Sequence, residues 1–270
     1  QQLFVATTHH FILFFTNKGR VYRLKAYEVP QTSRQAMGTA IINLISIEPD
    51  DTITATIPVK GIDGGGYLIM ATQMGEVKKT AMREFINLRS NGLRAFDVEE
   101  GDELKWVELA TDNDEVILVT QNGMSIRFHS KDLRAAGRAA GGVRGINLGD
   151  GDKVVGMTLA RPKSELLVAT ELGFGKRTPV DNYRKQTRGG KGLITMKLTP
   201  KTGKIVDVAV VDETDKIITI TAHGIVMKCP VKEIRCCGRS TQGVKLINLI
   251  EWDRVASIAR IPKAEAPEEE

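Results

Sequence analysis

Aromatic side chains make up only 5% of this 270-residue chain, and most, such as Phe4, Phe11 and Phe128, fall at apolar strand positions. Binders of single-stranded nucleic acid stack bases on exposed rings, so the composition argues against that mode. No run of eighteen apolar residues exists, which excludes a membrane-spanning helix. The three cysteines, Cys229, Cys236 and Cys237, lack a second pair at zinc-ligand spacing. Their odd number, without a charged-then-apolar leader, predicts reduced thiols in the cytoplasm. No segment keeps helical periodicity, so no element is expected to read bases from a major groove. His9-His10 has no carboxylate or cysteine beside it in the pattern. Gly64-Gly65-Gly66 leads to no phosphate-loop lysine, and no Ser/His/Asp grouping stands at motif spacing. Neither a catalytic group nor a metal site is expected.

What the chain does have is positive charge and repetition. Its net charge is +5, but four glutamates lie in the last seven residues, so residues 1–263 carry +9. That balance points to a polyanionic partner. The pattern T-x-x-G recurs at Thr16…Gly19, Thr72…Gly75, Thr120…Gly123, Thr170…Gly173 and Thr221…Gly224, at spacings of 56, 48, 50 and 51. A second glycine follows each: Gly38, Gly92, Gly142, Gly192 and Gly243. Each first glycine stands between two short β-rich runs, as in a tight hairpin where glycine takes positive φ. A third strand is expected after the second glycine (Val143–Leu148, Leu193–Leu198, Val244–Leu249), and a fourth after an acidic turn. Four short strands per fifty residues is the signature of propeller-like blades.

The predicted fold is therefore an all-β array spanning residues 1–262, with repeats near 9–59, 66–110, 114–160, 164–211 and 215–261. Residues 1–8 read as the last strand of an upstream repeat, so six blades are expected with the first incomplete. Residues 263–270 read as an acidic disordered tail.

Basic residues recur in register. Four places after the first glycine stand Arg23, Lys79, Arg127, Arg177 and Lys228. Strand alternation places Met124, Ile126 and Phe128 inward and Arg127 outward. Four places before the second glycine are Arg34, Arg138, Arg188 and Arg239, with Arg89 one place off in the shorter second module. Eight before it are Arg134, Arg184 and Arg235; two after it are Arg94, Arg144 and Lys245. Lys176, Lys185 and Lys191 add to the same loops. Constant sign at matched places predicts a positive rim for the backbone of a bent duplex. Ten such residues on phosphates would give a salt slope of about −9. A protein-interaction propeller is the competing reading, since similar modules build such scaffolds.

The stretch Gln186-Thr187-Arg188-Gly189-Gly190-Lys191-Gly192 resembles the seven-residue box of the C-terminal domain of the DNA gyrase A subunit, with Thr187 as the departure. Gly173-Phe174-Gly175-Lys176-Arg177-Thr178-Pro179 and Gly238-Arg239-Ser240-Thr241-Gln242-Gly243-Val244 are also similar to that family, which has a relative in topoisomerase IV. The resemblance implies a β-pinwheel of six four-stranded blades whose neighbours exchange strands. It further implies a non-catalytic domain that wraps duplex DNA so that the holoenzyme introduces negative supercoils. No cofactor is implied in the domain; ATP and Mg would act through other parts of the holoenzyme. Implied partners are double-stranded DNA, the gyrase B subunit and the rest of the gyrase A subunit. The domain itself is expected to be monomeric, away from membranes and associated with the nucleoid. Tyr183 is expected to pack, by analogy with Leu133 and Ile234.

Overall fold

The computed structural model describes residues 6–33, 35–60, 65–88 and 91–263. Every regular element among them is a β-strand or a short 3₁₀ turn. The first module supplies β1 (Phe11–Thr16), β2 (Arg20–Lys25) and β3 (Ile53–Val59); the second β4 (Tyr67–Thr72), β5 (Glu76–Ala81), β6 (Leu93–Arg94) and β7 (Leu104–Ala110). The third supplies β8 (Glu115–Thr120), β9 (Met124–His129), β10 (Val143–Arg144) and β11 (Val154–Ala160); the fourth β12 (Glu165–Thr170), β13 (Phe174–Pro179), β14 (Leu193–Ile194) and β15 (Ile205–Val211). The fifth supplies β16 (Lys216–Thr221), β17 (Val226–Pro230), β18 (Val244–Lys245) and β19 (Val255–Ile261).

Each module forms a sheet with its own long strands, and each of the first four borrows its outer strand from the module that follows. The orders are β3-β1-β2-β6, β7-β4-β5-β10, β11-β8-β9-β14 and β15-β12-β13-β18, closing with the three-stranded β19-β16-β17. Among the described residues there are thus five sheets, which corrects the expectation of six blades. The third strand of a module is also shorter than expected. Val143–Leu148 shrinks to Val143–Arg144, because only two residues reach the preceding sheet before the chain leaves it.

The T-x-x-G hairpins form for a local reason. All five first glycines have φ between 76° and 87°, a region closed to most side chains. The glycine N–H donates to the carbonyl of the threonine, and the threonine hydroxyl accepts from the residue after the glycine: Arg20, Glu76, Met124, Phe174 and Ile225. A buried threonine thus satisfies a buried amide. The acidic turn serves the same hairpin. Asp102, Asp152 and Asp253 accept from the backbone N–H of Met74, Asn122 and His223. A β-bulge recurs opposite the end of each first strand and re-aims the fourth strand.

Two compact units divide the chain, Gln1–Asp114 with His129–Gly145, and Glu115–Phe128 with Ile146–Glu270. In the first unit, Leu13, Phe15, Leu68, Met70, Phe85 and Phe96 pack between the first two sheets. In the second unit, one cluster joins Ile117, Val119, Leu166, Val168 and Tyr183, and another joins Leu167, Val211, Ile217 and Ile234. The first strands β4, β8 and β12 are buried on both faces. Leu133, Tyr183 and Ile234 are buried as expected, and the Tyr183 hydroxyl lies 2.7 Å from Thr195 Oγ1.

Candidate nucleic-acid interface

The loop between the second long strand and the short strand carries most of the basic residues. It begins with a 3₁₀ turn (Ser130–Asp132, Val180–Asn182, Val231–Glu233), pinned from below by the buried Leu133, Tyr183 or Ile234. The chain then crosses to the preceding sheet and makes one parallel bridge to its second strand: Ala135 to Lys79, Lys185 to Arg127, Cys236 to Arg177. A glycine turn and the short strand complete the crossing. Gly192 is required there by space as well as by its φ of 79°, since a Cβ would lie 2.3 Å from the Ser125 carbonyl oxygen.

These loops present cations to solvent. In the first unit Arg94, Arg134 and Arg144 are exposed and Arg138 is half-buried. In the second unit Arg184, Lys185, Lys191, Arg235 and Lys245 are exposed, with Arg188 and Arg239 half-buried. Lys185 reaches Glu115 at 2.6 Å, and Arg239 donates to the Ile194 carbonyl at 2.9 Å. Within the box-like stretch, the Gln186 N–H donates to the Arg127 carbonyl, and the Gly190 carbonyl accepts from Asn147. Thr187 is exposed and Gly189 has φ of 78°. Arg34 and Arg89 lie outside the described residues.

The set four places after the first glycine behaves differently, and the outward orientation expected for Arg127 is corrected. The Arg127 side chain is 11% exposed and grips Glu115 at 2.5 and 2.6 Å. Its Nη1 donates to the carbonyls of Val180 and Tyr183 in the next module. Arg177 repeats the arrangement with Glu165 at 2.7 Å, Glu213 at 3.2 Å and the Ile234 carbonyl at 2.6 Å. Lys79 bonds Asp112 and the Ser130 carbonyl. Arg23 donates to the carbonyls of Ile86 and Leu88 and lies over the Phe11 ring. Lys228, whose sheet receives no following loop among the described residues, is exposed. The recurring cation at this position is a clamp on the next module's turn. Burial opposes ionisation of Glu115, but hydrogen bonds from Lys185 and Arg127 hold its carboxyl below the ordinary range.

The expectation of a surface Lys176 is corrected too, since this residue is fully buried. Its ammonium meets the carbonyls of Gly238 and Arg239 at 2.6 and 2.5 Å and Thr241 Oγ1 at 3.2 Å. Lys78, which the register of basic residues passes over, occupies the same place in the second module. The available signal is the position three after the first glycine, lysine in two modules of five. Among the described residues, no group of three or more His, Cys, Asp or Glu could hold a metal ion. No helix among them is long and apolar enough to cross a membrane.

Comparison with known proteins fits this geometry. The solved C-terminal domain of DNA topoisomerase IV superposes with a TM-score of 0.86 at 29% identity, covering 94% of this chain and 80% of that one. A solved DNA gyrase A C-terminal domain gives 0.82 at 23% identity, a likeness of fold. The DNA gyrase A subunit of Clostridium acetobutylicum is 48% identical over 97% of this chain, and that of Mycolicibacterium smegmatis 42% identical over 95%. The chain spans about a third of the length of these curated relatives, 32% and 31%. The profile of the DNA gyrase C-terminal domain, beta-propeller, matches residues 10–60, 66–111, 114–161, 164–212 and 215–262, one segment per module. With all five modules matched, the chain belongs to the DNA gyrase C-terminal domain, beta-propeller, family.

Proposed function

We propose that the chain is the duplex-DNA-binding and wrapping domain of a gyrase A subunit, without catalytic chemistry of its own. One observation carries this reading most directly. The crossing loops of the third, fourth and fifth modules each mount arginines at matched places before a glycine turn, those at the first place exposed and those at the second half-buried. Such cations take phosphate oxygens without reading bases, and glycine turns admit a backbone at close range. A duplex laid across the loops of the fourth and fifth modules would bend, as supercoiling by the holoenzyme requires. Strand passage, ATP and Mg²⁺ use, and the partnership with the gyrase B subunit would belong to regions beyond this chain. The setting is then the cytoplasm, at the nucleoid, with the isolated domain a monomer.

Because the clamp cations are internal, the count of phosphate contacts is lower than the sequence implies. Eight cations (Arg134, Arg138, Arg184, Arg188, Lys191, Arg235, Arg239 and Lys245) would give a salt slope of about −7. Titration of a linear duplex against salt tests this directly. Changing Arg184, Lys191, Arg235 and Lys245 together to alanine is expected to reduce the slope by about 4 with the melting temperature kept. An affinity indifferent to salt would overturn the reading.

A further inference from the structure

The place three residues after the first glycine holds Tyr22, Lys78, Ile126, Lys176 and Met227 in the five modules. It lies on the second long strand and, in the first four modules, beneath the loop that arrives from the next module. In the first module the Tyr22 ring fills the space under Gly92, and in the third Ile126 lies under Gly190. Apolar side chains therefore suffice to pack this place. Lysine is costly there, because a buried ammonium must recover its lost hydration from protein acceptors.

Both lysines recover it from one kind of group. Lys176 Nζ takes the carbonyls of Gly238 and Arg239 and the hydroxyl of Thr241. Lys78 Nζ takes the carbonyls of Ala95 at 2.6 Å and of Arg138 and Ala140 at 2.7 Å each, with Gly137 at 3.4 Å and the Phe96 ring 4.9 Å away. In each case the ammonium grips the main chain of the residue four places before the second glycine, Arg138 or Arg239. Burial lowers both pKa values to about 8, which leaves both groups charged at neutral pH.

We infer that Lys78 and Lys176 are positioning residues for DNA binding, holding from below the loops on which Arg138 and Arg239 are mounted. The inference rests on the DNA-binding reading above and adds to it a buried layer that touches no phosphate. The two modules with a caged lysine present a preorganised arginine, whereas in the third module Ile126 offers the loop above it contact without hydrogen bonds. Preorganisation raises affinity by removing the cost of ordering a loop at the moment of binding.

Two double-mutant cycles on this chain test it, one with K176M and R239A, the other with K78M and R138A. Binding of a 30-base-pair linear duplex is measured well below the melting temperature. Ile126 already packs at this place beneath the incoming loop of the fourth module, so the single variants are expected to fold. Each lysine variant is expected to weaken binding about fivefold, the lower range of coupled pairs, and the double variant to lose no more than the arginine variant. A purely structural lysine would instead give losses that add. Unchanged affinity in both lysine variants, additive losses, or unfolding of both at the assay temperature would overturn the inference. A wild-type chain that fails to bind duplex would overturn the DNA-binding reading and this inference with it. Binding lost in R138A and R239A but kept in K78M and K176M would overturn this inference alone.

Discussion

At the scale of single residues, Arg127 shows how a surface cation and a structural one share the same sequence context. Its guanidinium satisfies a carboxylate that is 12% exposed and two backbone carbonyls contributed by the next module. Removing Arg127 leaves Glu115 to the more exposed Lys185 and takes this donor from the two carbonyls of the next module. R127M is therefore expected to destabilise the fold by about 3 kcal/mol, measured by chemical denaturation. Duplex affinity at a temperature where the variant remains folded should stay at the wild-type value. A loss of affinity without a loss of stability would return Arg127 to the DNA-contacting set. The same logic separates Arg184 and Arg235, exposed on their loops, from Arg177, which lies inside. Alternation along β9 does not reveal this, because it presumes one wet face. Here the next module's loop covers the face that alternation assigns to solvent.

Among elements, the hairpin and the borrowed strand explain each other. In four sheets the carbonyl of the first glycine, or the space beside it, is occupied by the incoming segment. The Gly123 carbonyl accepts from Thr195, and a Cβ on Gly123 would lie 2.7 Å from the Met196 carbonyl oxygen. Gly224 has an equivalent φ of 83°, yet nothing lies within 4 Å of its Cβ position. Among the described residues the β17 edge beside it receives no borrowed strand, and Val226 is correspondingly exposed. G224A should therefore cost only the backbone penalty of positive φ, about 1 kcal/mol. G123A adds a collision with main chain and should cost at least about 2 kcal/mol more, as overpacking does. Equal costs in denaturant titrations would mean that the borrowed strand does not seat against the glycine. The hairpins themselves were legible from T-x-x-G alone, since threonine and glycine close that turn without help from elsewhere. The exchange of strands entered only through the family resemblance, because two-residue strands such as Leu193–Ile194 carry no periodicity to read.

For the molecule as a whole, pH offers a test of how its strands pack. Asp207 on β15 accepts from the N–H of Ile258 on β19 at 2.9 Å and from that of Val208 at 2.8 Å. Burial nevertheless pushes its pKa up to about 6 from an ordinary 3.8. The folded state thus binds this proton more tightly than the unfolded chain does. Its contribution to stability is complete below about pH 4 and is lost as pH rises through about 6. The melting temperature of wild type is expected to fall between pH 5 and 7.5 by more than that of D207N; parallel curves would refute the placement of Asp207.

The chain's own order of residues determined the module, its period, the hairpin glycines and the overall excess of positive charge. These depend on local conformation and composition, which need no neighbour. Tertiary structure alone decided which cations face water. Lys79, Arg127, Lys176 and Arg177 were drawn inward by main-chain carbonyls that the next module's loop brings from more than fifty residues away, and a sequence of charges holds no record of those partners.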